Sequence, residues 1–135
     1  MYDTLKAKYS ENRIVVIGQS IGSGAASFLG AHNQPKMVIL QAPYYSIADW
    51  IHQLVPALKI ENNSFKLETY SYLKKITYQL VLIHGDADDA VYYGSSKKLS
   101  RFIKPTDRFI TLPGEGHNDF TKNETYLTWI KRLLK

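Results

Sequence analysis

Three apolar runs constrain this chain more than anything else in it. They are "RIVVIG" at 13–18, "KMVILQA" at 36–42 and "YQLVLIHG" at 78–85. Each is nearly continuous and lacks strict alternation of apolar and polar residues. That is how a strand reads when both of its faces are covered. A fourth run, "DRFITLPG" at 107–114, is shorter and ends in Pro-Gly. Helical patterns separate the runs. Residues 21–31 are small and apolar and suit tight packing on a sheet. Residues 47–58 put Trp50, Ile51, Leu54, Val55 and Leu58 on one face, with Ser46 and Asp49 at capping-box spacing and Pro56 expected to kink the end of the helix or stop it. Residues 96–103 carry Leu99, Phe102 and Ile103. A last helix is predicted to open at Thr121 and Glu124, again at capping-box spacing, and to bury Tyr126 or Leu127, Ile130, and Leu133 or Leu134.

Strands alternating with helices predict an α/β fold, a mostly parallel sheet of about four strands with helices on both faces. The 135 residues fit one domain. The stretch 44–76, rich in Tyr, Asn and Lys, reads as a cap- or lid-like insert. The opening "YDTLKAKYSEN" reads as the tail of a helix through Tyr2, Leu5 and Tyr9.

Composition narrows the function classes. Hydrophobic residues make up 44% of the chain, so it is a globular sequence and not a disordered one. No apolar run has the length a bilayer requires. "MYDTLKAKYSENR" has no signal-peptide core, which predicts a cytoplasmic protein without a membrane span. There is no cysteine, so disulfides, thiolate metal sites and cysteine nucleophiles are excluded. The formal charge of +5 raises the question of nucleic acid. The lysines are dispersed, though, so the charge reads as solvated faces and no nucleic-acid partner is expected.

In α/β sheets ligands bind beyond the carboxyl ends of the strands. Gly18-Gln19-Ser20-Ile21-Gly22 follows the first run. His84-Gly85-Asp86-Ala87-Asp88-Asp89 follows the third, and Gly114-Glu115-Gly116-His117-Asn118-Asp119 the fourth. Serine, carboxylate and histidine thus appear in the chain order of a serine-hydrolase triad on an α/β sheet. A serine hydroxyl needs a base to take its proton, histidine serves near neutral pH, and a carboxylate orients the imidazole. The glycines flanking Ser20 permit a tight, strained turn, and the Ile21 backbone N–H is one candidate oxyanion donor. Asp86, Asp88 and Asp89 compete for the acid role. His84, at a strand end, reads as structural, and His32 and His52 as surface residues. A Walker loop would need a Lys after the glycines. A dinucleotide fingerprint would need a glycine where Ser27 stands and an acid where Gln41 stands. Nothing implies a metal or an organic cofactor.

"GQSIGSG", "QAPYYSI", "LVLIHGDADDAV" and "LPGEGHND" together resemble the carboxyl-terminal half of an α/β-hydrolase. The likeness is greatest to the branch of serine-aminopeptidase-like hydrolases and membrane-associated acyl-protein thioesterases. It covers essentially the whole chain. It implies Ser20 as nucleophile, Asp88 as the acid and His117 as the base. Ala90 and Val91 replace a bulkier apolar pair, and Tyr92 stands where proline is common. The resemblance also implies that several N-terminal strands, and the loop supplying a second oxyanion donor, are missing. Two expectations follow. The chain is a hydrolase of esters, thioesters or amides, completed by a second copy or by a complementing N-terminal half. Alternatively it is a truncated or split fragment, inactive alone. Tyr44, Tyr45, Trp50, Leu54 and Phe65 in the insert suggest an apolar acyl, aromatic or peptide-like substrate group.

Overall fold

The structure, a computed structural model, describes residues 1–58 and 67–135. It contains β1 (Val15–Gln19), β2 (Met37–Gln41), β3 (Gln79–Gly85) and β4 (Arg108–Leu112). The helices are α1 (Tyr2–Lys6), α2 (Gly22–His32), α3 (Ile47–Leu54), α4 (Thr69–Leu73), α5 (Gly94–Leu99) and α6 (Glu124–Leu133). The four strands form one sheet in the order β1-β2-β3-β4, every neighbouring pair parallel. In register, Ile39 of β2 lies between Ile17 of β1 and Val81 of β3.

The unbroken apolar runs are explained by the two faces. Side chains alternate along a strand. Val38, Leu40, Leu80 and Leu82 therefore join Ala26 of α2, Leu73 of α4 and Leu99 of α5 in one core. Met37, Ile39, Val81, Ile83, Ile110 and Leu112 join Phe120 in a second core, against which Tyr126, Trp129, Ile130 and Leu133 of α6 pack. Helices thus cover both faces. Among the described residues no helix is long and apolar enough to cross a membrane.

Several helix limits differ from the sequence expectation. The 47–58 pattern stops at Leu54, ahead of Pro56 as expected of a proline, but leaves Leu54, Val55 and Leu58 about half exposed. Ser46 caps α3 as expected, accepting from the Asp49 N–H at 3.1 Å. The third pattern starts earlier, at Gly94, and passes into a 3-10 turn at Ser100–Phe102. The last helix does not open on Thr121, which lies in a 3-10 turn, Phe120–Lys122. Asn123 caps it instead, its side chain accepting from the Tyr126 N–H at 3.0 Å, since Asn is at least as good a cap as Thr. Of the paired core candidates, Tyr126 and Leu133 face the sheet while Leu127 and Leu134 are exposed. Tyr2 is buried and its hydroxyl donates to Glu11, whereas Leu5 and Tyr9 are exposed.

The 44–76 stretch contributes α3 and α4, whose approaches are drawn together where the Ile47 N–H donates to Leu67 O and the Tyr70 N–H to Tyr45 O. Phe65 lies outside the described residues.

The two glycines around Ser20 are not equivalent. A Cβ on Gly18 would stand 2.5 Å from both the Ala26 Cβ and the Gly22 carbonyl oxygen, whereas a Cβ on Gly22 would meet nothing within 4 Å. Gly18→Ala is therefore expected to cost about 1–3 kcal/mol of stability by overpacking. Gly22→Ala, in the first turn of α2, should be neutral or stabilise by up to about 1 kcal/mol. Urea denaturation of the two variants reads the contrast; equal midpoints would show that the turn is looser than drawn.

Candidate active site

Three strand ends build the site. β1 runs out at Gln19, and Ser20 takes a left-handed backbone with φ 51°. Its N–H donates to Gln41 O at 2.9 Å, and its own carbonyl accepts from the Ser23 N–H as α2 begins. A non-glycine residue held at positive φ stores strain, which the two flanking bonds maintain. The turn lifts the Ser20 side chain above the carboxyl end of the sheet. The Ile21 N–H has no acceptor among the described residues.

The loops after β3 and β4 are pinned to each other. Asp86 Oδ1 accepts from the Gly114 N–H at 2.7 Å, and the Ala87 N–H donates to Glu115 O at 3.1 Å. A Cβ on Gly85 would stand 2.1 Å from Glu115 O, so the close approach requires glycine there. Gly114 turns the second loop with φ 69°.

The pinned loops carry Asp88 and His117. His117 Nδ1 donates to Asp88 Oδ2 at 2.8 Å, and its Nε2 lies 3.0 Å from Ser20 Oγ, placed to accept the hydroxyl proton. Ser20, His117 and Asp88 thus form one hydrogen-bonded line, although Ser20 and His117 are 97 positions apart. Gln19 Nε2 reaches His117 O at 3.4 Å. Asp88 is buried, and its Oδ1 accepts the N–H groups of Ala90 and Val91, each at 2.9 Å. Burial pushes its carboxyl upward, but bonds from His84, His117, Val91 and Ala90 outweigh this and hold it at about 2.

The competing acids separate by position. Asp86 is committed to Gly114, and Asp89 is exposed. His32 and His52 are exposed, as expected of surface residues. The aromatic residues assigned to substrate divide. Tyr44 is completely enclosed, stacked on Trp50 at 5.8 Å with its hydroxyl over Gly24, so it presents no surface and serves packing instead. Tyr45 stacks on Tyr70 at 4.7 Å. Trp50 is half-buried and donates from Nε1 to Ala90 O at 2.8 Å, which ties α3 to the loop holding Asp88. A residue the sequence reading set aside is His84. It is completely buried and bonded to Asp88. The available signal was its spacing of four residues from Asp88 across the tight Gly85 turn.

The low carboxyl of Asp88 has a consequence for stability. A depressed folded-state value contributes stability that is present above the ordinary value of 3.8 and lost as pH falls toward about 2. Asp88→Asn should lower the urea midpoint at neutral pH and flatten its fall between those two values. Parallel pH curves for the two proteins would count against the ionised, hydrogen-bonded carboxylate.

Comparison with known proteins agrees with this architecture. The model of the prolyl oligopeptidase family matches residues 4–135. A protein of Mycobacterium tuberculosis is 28% identical over 127 residues, covering 90% of this chain and 44% of that protein. Human alpha/beta hydrolase domain-containing protein 17B is 25% identical over 133 residues, covering 96% of this chain and 45% of that one. The chain therefore spans less than half the length of these relatives. The esterase domain of a Rhodothermus marinus protein superposes with a TM-score of 0.71 at 18% identity, covering 96% of this chain and 64% of that one, a likeness of fold. By the family match over residues 4–135, the chain belongs to the prolyl oligopeptidase family of α/β-hydrolases.

Proposed function

We propose that the chain carries a serine-hydrolase centre that cleaves an ester, thioester or amide. The observation that supports this best is the continuous line from the strained Ser20 through His117 to the ionised Asp88. Ser20 Oγ attacks the carbonyl carbon as His117 Nε2 takes its proton. Asp88 holds the ring in the Nδ1–H tautomer and stabilises the imidazolium. The Ile21 N–H donates to the oxyanion. His117 then returns the proton to the leaving group, and water activated by the same ring hydrolyses the acyl-serine. Asp88 and His117 work as one unit because the 86–114 and 87–115 bonds fix their loops together. An apolar acyl, aromatic or peptide-like substrate group remains the reading of the insert, with Tyr45 and Trp50 the half-buried aromatics left to meet it. The esterase domain of Rhodothermus marinus is a fold neighbour with chemistry of this kind.

Labelling with a fluorophosphonate probe, read by intact mass, tests the centre. Wild type should gain one adduct, Ser20→Ala none, and His117→Ala should react slower by about 10²- to 10⁴-fold. A folded wild type that stays unlabelled would defeat the assignment.

A second reading has its own observation. Among the described residues only the Ile21 N–H is identified as an oxyanion donor, and missing one donor costs about 10²- to 10³-fold in turnover. At the same time Ile17, Ile21 and Phe28 are 49%, 57% and 45% exposed around the unpaired edge of β1. A groove of about 320 Å³ runs there between β1, α1 and α2. On this reading the isolated chain is impaired and is completed by a second copy or a complementing segment at that edge, since open edges recruit strands. If a second copy does so, the labelling rate per molecule should rise with protein concentration, together with the sedimentation coefficient, and Ile17→Lys should abolish both trends. A concentration-independent rate from a monomer would exclude self-completion.

A further inference from the structure

The line of hydrogen bonds does not stop at Asp88. His84, the penultimate residue of β3, is completely enclosed. Its Nε2 lies 3.1 Å from Asp88 Oδ2 and 2.9 Å from Val91 O. Both neighbours are acceptors with no proton to give, since the carboxylate is ionised and the other is a backbone carbonyl. Nε2 must therefore carry the hydrogen. At the opposite end of the ring, Nδ1 is 2.7 Å from Ser96 Oγ, also completely buried, on α5. The serine hydroxyl can donate to Nδ1, which satisfies both ring nitrogens without requiring a charge. The Tyr93 ring meets the imidazole edge-on at 5.7 Å and fixes its plane. A polar ring in such a place carries a desolvation cost that an apolar side chain would avoid. What it adds is a second N–H on the oxygen that His117 uses. Asp88 Oδ2 receives both histidines, while Oδ1 receives two backbone N–H groups.

We propose that His84 is a positioning residue for the Ser20 centre: its Nε2–H, oriented by Ser96, shares Asp88 Oδ2 with His117 Nδ1 and so sets how strongly the carboxylate holds the base. The proposal rests on the serine-hydrolase reading for its functional meaning. The coupling itself concerns only His84, Asp88 and His117. A carboxylate oxygen that serves one donor attracts it more strongly than one that serves two. With His84 in place, part of the negative potential at Oδ2 is neutralised and the imidazolium of His117 is stabilised less.

The other groups around the carboxylate have separate engagements. From its own loop, Asp86 is bonded to Gly114 and Asp89 is exposed. From the β4 loop, Glu115 accepts from Asn123. From α5, Lys98 pairs with Asp49 of α3, which also accepts from Tyr92. Tyr93 hydrogen-bonds Thr111 of β4. Among the described residues, only His84 and His117 bring titratable side chains onto Asp88.

The test uses the 135-residue chain and two readouts, NMR titration of the His117 ring and the pH profile of Ser20 labelling by the fluorophosphonate. His84→Phe removes the N–H with a somewhat larger ring, His84→Gln retains an N–H of comparable reach, and Ser96→Ala removes only the hydroxyl that orients the ring. In His84→Phe the His117 titration should move up by about half a unit or more. The acid limb of the labelling profile should move with it. His84→Gln should return most of the shift, and Ser96→Ala should show a smaller shift in the same direction. A His117 titration unmoved in both His84→Phe and Ser96→Ala, even with lowered stability, overturns the proposal and leaves His84 a core residue. Should His84→Phe fail to fold, an unmoved titration in Ser96→Ala overturns it by itself. Failure of the hydrolase reading would look different: no variant and no wild type would be labelled, while the NMR titration would still report the coupling.

Discussion

The close approach of the loops after β3 and β4 is the contact on which the site depends. Gly85 lies against the Glu115 carbonyl, Asp86 receives the Gly114 N–H, and the Ala87 N–H meets Glu115 O. These are short-range contacts, one backbone to backbone and one to the Asp86 carboxylate, between segments that are distant in sequence. They place His117, on an otherwise irregular loop, within hydrogen-bond reach of a carboxylate anchored to the end of a buried strand. The parallel sheet makes this possible, because it brings the carboxyl ends of β1, β3 and β4 to one edge and keeps β2 and β3 rigid between two cores.

The strands were the most legible part of the sequence. A segment buried on both faces must be apolar at every position, and Val38 to Leu40 and Leu80 to Ile83 leave no other reading. Helix ends were less legible because several residues compete for each cap. Thr121 and Glu124 have the spacing of a cap, but Asn123 lies between them and takes the role. The 47–58 pattern outruns α3, which ends ahead of Pro56, because Leu54, Val55 and Leu58 are apolar without being buried.

The site was legible to a different depth. Ser20 and His117 are each marked by glycines at strand ends. The choice among Asp86, Asp88 and Asp89 was not available from residue type, since all three are loop acids. It depends on which carboxylate turns inward, and Asp86 is held away by a backbone N–H contributed 28 positions later. Of the polar interior behind Asp88, only His84 left a signal, in its spacing from the acid. Ser96 and Tyr93 belong to a stretch whose composition reads as an ordinary helix start, and only the fold brings them to His84. Tyr44 shows the opposite failure. An aromatic next to a candidate site suggests contact with substrate, but here it fills the space above a glycine.

The fit of Gly85 against Glu115 also bears on how such a site can be inherited or transplanted. Each loop supplies part of the surface that the other lies against. Exchanging one alone between relatives would join a donor's curvature to a host's counter-surface. Residues 85–91 and 113–117 therefore form a single cassette, and changes accepted in one half limit those the other half can take.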